Sequence, residues 1–315
     1  MPLKLTILGF NSAIPKKKSS PTAQLLEINN RHFLIDCGEG TQVQLRKAKA
    51  KFSKINHIFI SHLHGDHVFG LIGLISTLQL LGKETPLHIF GPEGIKDFIM
   101  NQLMHTKANC SFELDFNELK SKKSELIFED EKVEVHTIPL DHRIYTNGFL
   151  FREKPKSRKL NIEEIRKHPE IEICDYENLK RGKDFELQNG NTIPNAELTF
   201  PPEKPLSYAF CSDTRYKPGI CEIIKNVDLL YHEATFLHEL KEMADYTGHT
   251  TALEAAKIAK GANAAKLILG HFSNRYKDVN VLLDEAKTVF ENTLLPVQLG
   301  VYEVNEKNIG ITKES

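Results

Sequence analysis

The sequence predicts an α/β protein. Short apolar runs of strand length alternate with segments of helical periodicity, and clusters rich in His, Asp and Glu follow several of the strand-like runs directly. With 315 residues and 40% hydrophobic content there is ample material for a core, as one large domain or two smaller ones.

The first strand-like runs are residues 3–8, 24–28, 32–35, 57–60, 87–90 and 133–138. A helix is expected over 68–81, where Ile72, Ile75 and Leu78 recur at helical spacing. Between residue 151 and about 205 the texture changes. This stretch carries eleven basic and eleven acidic residues, and five of the basic ones fall within 152–159. We read 152–200 as an insertion in a domain spanning 1–315. Further strand-like runs follow at 206–211, 227–231 and 266–269, with a helix at 251–260 opened by the capping box Thr251-Ala252-Leu253-Glu254. Ligands of open sheets lie beyond the strand ends, so polar clusters at those ends point to one shared pocket.

Lys+Arg 41 against Asp+Glu 42 leaves a net charge of −1, too small to attract nucleic acid or a membrane surface over long range. A polyanion would have to be met by local basic runs, of which Arg46-Lys47-Ala48-Lys49-Ala50-Lys51-Phe52-Ser53-Lys54 and Lys16-Lys17-Lys18 are two. The five cysteines are scattered, odd in number and without a Cys-x-x-Cys pair, which fits a reducing compartment and argues against a disulfide framework or a thiolate zinc site. We expect a cytoplasmic protein. The apolar N-terminal stretch is too short for a signal peptide, and no run reaches the roughly eighteen apolar residues a membrane span requires.

The chemistry is concentrated in Ser61-His62-Leu63-His64-Gly65-Asp66-His67, directly after the apolar run 57–60. Three imidazoles and a carboxylate in six positions are the ligand types of Zn²⁺ and similar ions, delivered by a strand into a turn. His142, Asp213 and His271 each sit just past a strand-like run and join the candidate set. Together these are seven ligands, enough for two metals if one carboxylate bridges.

The run His-x-His-x-Asp-His at 62–67 resembles the signature of the metallo-β-lactamase superfamily. More narrowly, the chain resembles the ribonuclease Z family of tRNA 3′-processing endonucleases. That likeness rests on Leu34-Ile35-Asp36-Cys37-Gly38-Glu39-Gly40-Thr41-Gln42, Ser212-Asp213-Thr214, His232-Glu233-Ala234-Thr235, Gly248-His249-Thr250-Thr251 and His271-Phe272-Ser273-Asn274-Arg275-Tyr276. It implies an αββα sandwich of two mixed sheets flanked by helices. It also implies that His62, His64 and His142 hold one Zn²⁺, that Asp66, His67 and His271 hold a second, and that Asp213 bridges them. Manganese or iron is tolerated by the same ligands. Two cations about 3.5–4 Å apart can clamp both the attacking and the leaving oxygen of a phosphodiester.

The same resemblance gives His249 the role of proton donor to the departing ribose 3′ oxygen and Glu233 that of orienting the imidazole, as carboxylates do in other triads. Asp66 could accept a proton from the attacking water as well as bind metal. Asp36 is expected to support the ligand loop by hydrogen bonding. Ser273 and Arg275 are candidates for gripping a substrate phosphate, with a structural ion pair as the competing reading for Arg275. His232 reads as structural. The insertion at 152–200 stands where the family carries a flexible arm that grips tRNA, although it lacks the family's Gly-Pro pair, and the loop Gly9-Phe10-Asn11-Ser12-Ala13-Ile14-Pro15-Lys16 departs from the common Gly-rich form.

The expected activity is removal of 3′ trailers from precursor tRNA by a homodimeric enzyme, leaving a 3′ hydroxyl on the tRNA and a 5′ phosphate on the trailer. The alternatives are a hydrolase of the same fold acting on a small phosphodiester or ester, or an RNA-binding scaffold on a retired hydrolase fold. A small-molecule enzyme would keep its activity when 152–200 is deleted. A retired site has no reason to retain every ligand position and His249.

Overall fold

A computed structural model describes residues 3–16, 19–305 and 309–312. Lys17 and Lys18 of the expected basic run lie outside the described residues. The chain divides into two compact units, 1–152 with 206–315 and the intervening 153–205.

The larger unit is built on two mixed sheets. One has eight strands in the spatial order Ile309–Thr312, Val301–Val304, Leu3–Gly9, Ala23–Ile28, Arg31–Ile35, Ile55–Phe59, Leu87–Pro92, Leu114–Leu119. The other has seven, in the order Thr293–Leu294, Lys266–Gly270, Leu229–Glu233, Ser207–Cys211, Asn147–Glu153, Val133–Pro139, Leu126–Glu129. Alternation along the strands separates three apolar layers. Leu3, Leu5, Ile7, Phe33 and Phe59 of the first sheet share a cluster with Phe149, Phe151, Tyr208, Phe210 and Tyr231 of the second. The Phe59 ring stacks on Phe90 at 4.7 Å and meets Phe151 edge-on at 5.3 Å. Such rings contribute about 2–3 kcal/mol each by burial.

The opposite faces are covered by helices. Thr41–Lys47, Leu71–Leu80 and Ile95–Thr106 pack on the first sheet through Leu45, Leu74, Ile75 and Ile99. Ala252–Gly261 and Asn280–Lys287 cover the second through Ala255, Ala256, Ile258 and Leu282. The alanine-rich face lets the first of these lie close to the strands, and the Thr251–Glu254 capping box is formed. This is the αββα architecture.

The helix expected over 68–81 is two pieces, Gly65–Val68 and Leu71–Leu80. At the break, the Gly70 amide donates to the Cys37 carbonyl at 2.8 Å, and a β-carbon on Gly70 would lie 2.0 Å from the Gly38 oxygen. Tertiary contact, not local propensity, sets that boundary.

The smaller unit has two two-stranded ribbons, Lys159–Leu160 with Thr199–Phe200 and Phe185–Glu186 with Thr192–Ile193. Ile165, Ile171, Leu179, Ile193 and Leu198 form its own small core. The buried Asn195 amide donates to the Leu179 and Lys183 carbonyls, both at 2.8 Å. Of its basic start, Lys156 and Lys159 pair with Glu203 at 3.0 and 2.8 Å, and Arg158 donates to Thr199 at 2.6 Å. Part of that run therefore serves internal cohesion.

Candidate metal centre

Five strands end at one edge of the sandwich. In the first sheet, Arg31–Ile35 and Ile55–Phe59 run parallel and deliver Asp36 and the 61–67 segment. In the second, Ser207–Cys211, Leu229–Glu233 and Lys266–Gly270 run parallel and deliver Asp213, Glu233 and His271. The turn that follows strand Val133–Pro139 adds His142. The Asn147 amide donates to the Ser61 carbonyl at 3.1 Å, tying this turn to the ligand loop of the first sheet.

Several ligand rings are held by a bond at one nitrogen that frees the other. Asp36, fully buried and in the left-handed region at φ 55°, accepts from the Ser61 amide at 2.7 Å, the Ser61 hydroxyl at 2.9 Å and His67 Nδ1 at 2.7 Å. Three donors hold the carboxylate, and it in turn leaves His67 Nε2 as the free nitrogen. His142 Nδ1 donates to the Gly248 carbonyl at 2.6 Å. Gly248 caps helix Lys241–Thr247 at φ +81°, a left-handed conformation that turns its carbonyl back and suits glycine. His271, itself at φ 57°, has Nδ1 3.1 Å from the Thr235 hydroxyl, which donates to Glu233 at 2.7 Å. Non-glycine residues held in this region cost about 1–2 kcal/mol each and need surrounding bonds to persist.

The free atoms form two groups. His64 Nδ1 lies 3.0 Å from His62 Nε2 and 3.3 Å from His142 Nε2, and Asp213 Oδ2 is 3.7 and 4.0 Å from the same two Nε2 atoms. On the other side, Asp66 Oδ2 lies 3.5 Å from His67 Nε2 and 3.3 Å from His271 Nε2. Asp213 Oδ1 is 3.5 Å from His67 Nε2 and 3.4 Å from His271 Nε2. Asp213 thus turns one oxygen to each group. In both groups the ligand atoms are close enough for one cation.

The donor set fits cations. His67 Nε2 and Asp213 Oδ1 are buried without any hydrogen-bond partner among the described residues, an arrangement that costs free energy unless something charged lies between them. Burial opposes a proton on His67, yet Asp213, Asp36 and Asp66 together hold its pKa well above the ordinary value. Burial likewise raises Asp213, but the surrounding His271, His67, His62 and His249 pull it far below the carboxylate range. Carboxylates this crowded stay ionised only in the presence of positive charge, which cations held by these groups would supply without protonating the ligands.

His249 stands beside the first group, its ring 5.1 Å from that of His142 and stacked on His271 at 5.3 Å. Its Nδ1 lies 3.0 Å from Glu233 Oε1. Glu233 is fully buried and also accepts from the Thr214 and Thr250 amides and from the Thr235 amide and hydroxyl. Burial presses the His249 pKa down, but Glu233 and Asp213 outweigh it and hold the imidazole up at about 9. Cations bound at Asp213 would draw that value back toward neutrality.

A protein named ribonuclease Z from Bacteroides thetaiotaomicron is 45% identical over 292 residues, 93% of this chain and 92% of that one. The chain belongs to the ribonuclease Z family. It is a ribonuclease Z-type endoribonuclease, a phosphodiester hydrolase. Among solved structures, human tRNase Z, short form, matches with a TM-score of 0.70 at 27% identity, covering 95% of this chain and 98% of that one. The metallo-β-lactamase fold protein YhfI from Bacillus subtilis shares the fold with a TM-score of 0.67 at 19% identity, over 96% of this chain and all of that one. A family model described as Anti-Pycsar protein Apyc1 matches residues 3–155, just under half of the chain. Among the described residues no helix is long and apolar enough to cross a membrane.

Ser273 and Arg275 sit on the strand-end loop after His271. The Arg275 guanidinium lies 5.0 Å from the Phe236 ring centre, with Nε 3.3 Å from the Ser273 hydroxyl. Among the described residues it pairs with no carboxylate, so the ion-pair reading is not met, and Nη2 lies 3.1 Å from Met243 Sδ. His232 is buried and neutral in character, donating to the Glu233 carbonyl at 2.7 Å. Sequence reasoning missed Ser61, Thr235 and the Ala13 amide. The last donates to Asp66 Oδ2 at 2.7 Å. Thr235 was visible as the last residue of His-Glu-Ala-Thr, but a hydroxyl that serves two other side chains gives no periodic signal.

Proposed function

We propose that this protein is a zinc-dependent endoribonuclease that removes 3′ trailers from precursor tRNA, working in the cytoplasm as a homodimer. The observation that carries the reading is the double presentation of Asp213, one oxygen toward each of two ligand groups, in a member of the ribonuclease Z family. His62, His64 and His142 would hold one Zn²⁺ and Asp66, His67 and His271 the other, with Asp213 facing both groups. Neutral imidazole and carboxylate without thiolate suit zinc and admit other divalent ions. When bound, the cations supply an acidified water and positive charge on the phosphate oxygens.

The remaining work falls to the chain's own side chains. Asp66, steadied by the Ala13 amide, accepts a proton from the attacking water. Attack at phosphorus breaks the bond to the ribose 3′ oxygen, and His249 gives that oxygen its proton. Glu233 keeps His249 charged and aimed through Nδ1. The products are a tRNA 3′ hydroxyl and a trailer 5′ phosphate. Arg275 and Ser273 grip a flanking phosphate. The 153–205 unit is the arm that holds the body of the tRNA through backbone contacts.

The test is cleavage of a 3′-extended precursor tRNA by purified protein before chelation, after it and after zinc readdition, alongside a small phosphodiester. Metal-restorable cutting near the discriminator nucleotide is the expected result. Hydrolysis of the small compound with intact tRNA would move the function to a small phosphodiester or ester on the same centre.

A further inference from the structure

The run 46–54 carries five basic residues and no acidic one, and the proposed chemistry leaves it unused. Helix Thr41–Lys47 stops at Ala48, and Lys49, at φ 53°, reverses the chain so that 49–54 lies along the outer end of the first sheet before strand Ile55–Phe59 begins. Arg46 is taken up locally, its guanidinium 5.8 Å from the Phe52 ring centre. Lys49, Lys51 and Lys54 are exposed, and among the described residues their ammonium groups have neither a hydrogen bond nor an ion pair. Many other surface lysines, such as Lys159, Lys167, Lys225 and Lys287, do have acidic partners.

These three lysines, with Lys4, which pairs with Glu303 at 2.7 Å, surround a cavity of about 680 Å³ in which Glu27 is the one lining carboxylate among the described residues. His32 forms part of its wall, buried, with Nδ1 unpartnered and Nε2 3.5 Å from Glu27. Burial holds this imidazole down against Glu27, and the charges of Lys54 and Lys51 add to the depression, which places both ammonium groups within electrostatic reach of the cavity wall. The cavity is remote from the metal centre. His32 is four residues before Asp36 on the same strand, about 13 Å at 3.3 Å per residue.

We propose that this cavity is a second anion site, which binds backbone phosphates of the RNA substrate at the end of the first sheet opposite the metal ligands. It rests on the reading that the substrate is RNA. Lys49, Lys51 and Lys54, without partners among the described residues, repel one another, and neutralising phosphates removes that cost while releasing counterions. The site carries no sequence information and positions the RNA body, a task separate from bond breaking.

The test is binding of a 3′-extended precursor tRNA to the full-length protein at several salt concentrations, for the unaltered protein, for the triple variant Lys49→Gln/Lys51→Gln/Lys54→Gln and for Glu27→Gln. Each lysine that neutralises a phosphate contributes about 0.7–0.9 to the salt slope, so the triple variant should lose about 2–3 from it and bind more weakly. Glu27→Gln should bind more tightly. Hydrolysis of bis(p-nitrophenyl) phosphate should be unchanged in both, which separates lost RNA contact from misfolding. Equal slopes for the unaltered and triple-variant proteins would overturn this inference alone. Failure of the unaltered protein to bind the RNA, with small-phosphodiester hydrolysis intact, would overturn the RNA reading and this site together.

Discussion

Replacing Glu233 with Gln tests the proton donor through its dependence on pH. The carboxylate is the largest favourable influence on His249, which burial alone would depress and which is instead held at about 9 against an ordinary value of 6.5. That difference corresponds to about 3 kcal/mol in favour of the imidazolium. Glu233→Gln keeps the shape and removes the charge, so His249 should titrate at or below its ordinary value. The donor must be protonated to act. The charged fraction therefore falls little at pH 6 and much more at pH 8. The ratio of single-turnover cleavage rates at pH 8 and pH 6 should therefore drop relative to the unaltered protein, by up to about twentyfold, the limit set by a His249 value of about 9 before bound cations lower it. A uniform loss from the disturbed hydrogen bonds cancels in that ratio, as do pH effects on the nucleophile. Metal content should be unchanged. Equal ratios for the two proteins would refute the claim that Glu233 sets the state of the donor.

Other expectations follow from the same geometry. His67→Ala should lose both metal and cleavage, while His249→Ala should retain metal, by elemental analysis, and cleave about 10²–10⁴-fold more slowly in single turnover. Asp36→Asn should weaken metal affinity about 10–100-fold in chelator competition, because it loosens the ring of His67 without touching a metal. His57 gives the fold an acid sensitivity. Burial, then the charge on the stacked His88, hold it down at about 4. The unfolded chain therefore takes up this proton first, and stability is full above pH 6.5 and is lost as the pH falls toward 4, by roughly 2 kcal/mol. Denaturant titrations of His57→Phe should show a flatter profile across that range.

Much of this was legible in the sequence because strand ends carry the chemistry. The runs at 3–8, 24–28, 32–35, 87–90 and 133–138 became strands within a residue or two, since each alternates or is wholly apolar and is stopped by Gly, Pro, Asn or Asp. The capping box at Thr251 fixed a helix start for a purely local reason. What escaped notice lacked such a signature. Helix Thr41–Lys47 presents only a narrow apolar stripe around Leu45, and the edge strand Leu114–Leu119 is half-exposed along its length. Strand Asn147–Glu153 runs through residues that composition assigned to the start of the insertion. At the centre, residue types marked the candidate ligands that the structure brings together, whereas the division of Asp213's oxygens and the Asp36 and Thr235 bonds depend on backbone turns that leave no trace in spacing.

The order of strands in the first sheet bears on how the molecule is made. Strand Leu3–Gly9 lies between Ala23–Ile28 and Val301–Val304, in register from Leu3 with Val304, and its Ile7 exchanges backbone bonds with Leu299 and Gly300. A ribosome adding about 5–20 residues per second reaches that partner only some 15–60 s after the first strand emerges. For about 10–40 s of that interval residues 62–67 are already on the nascent chain while His271 and the closing strand are still unmade. The cluster can thus meet metal before there is a sandwich to hold it, and the finished enzyme arises only when the last strands arrive.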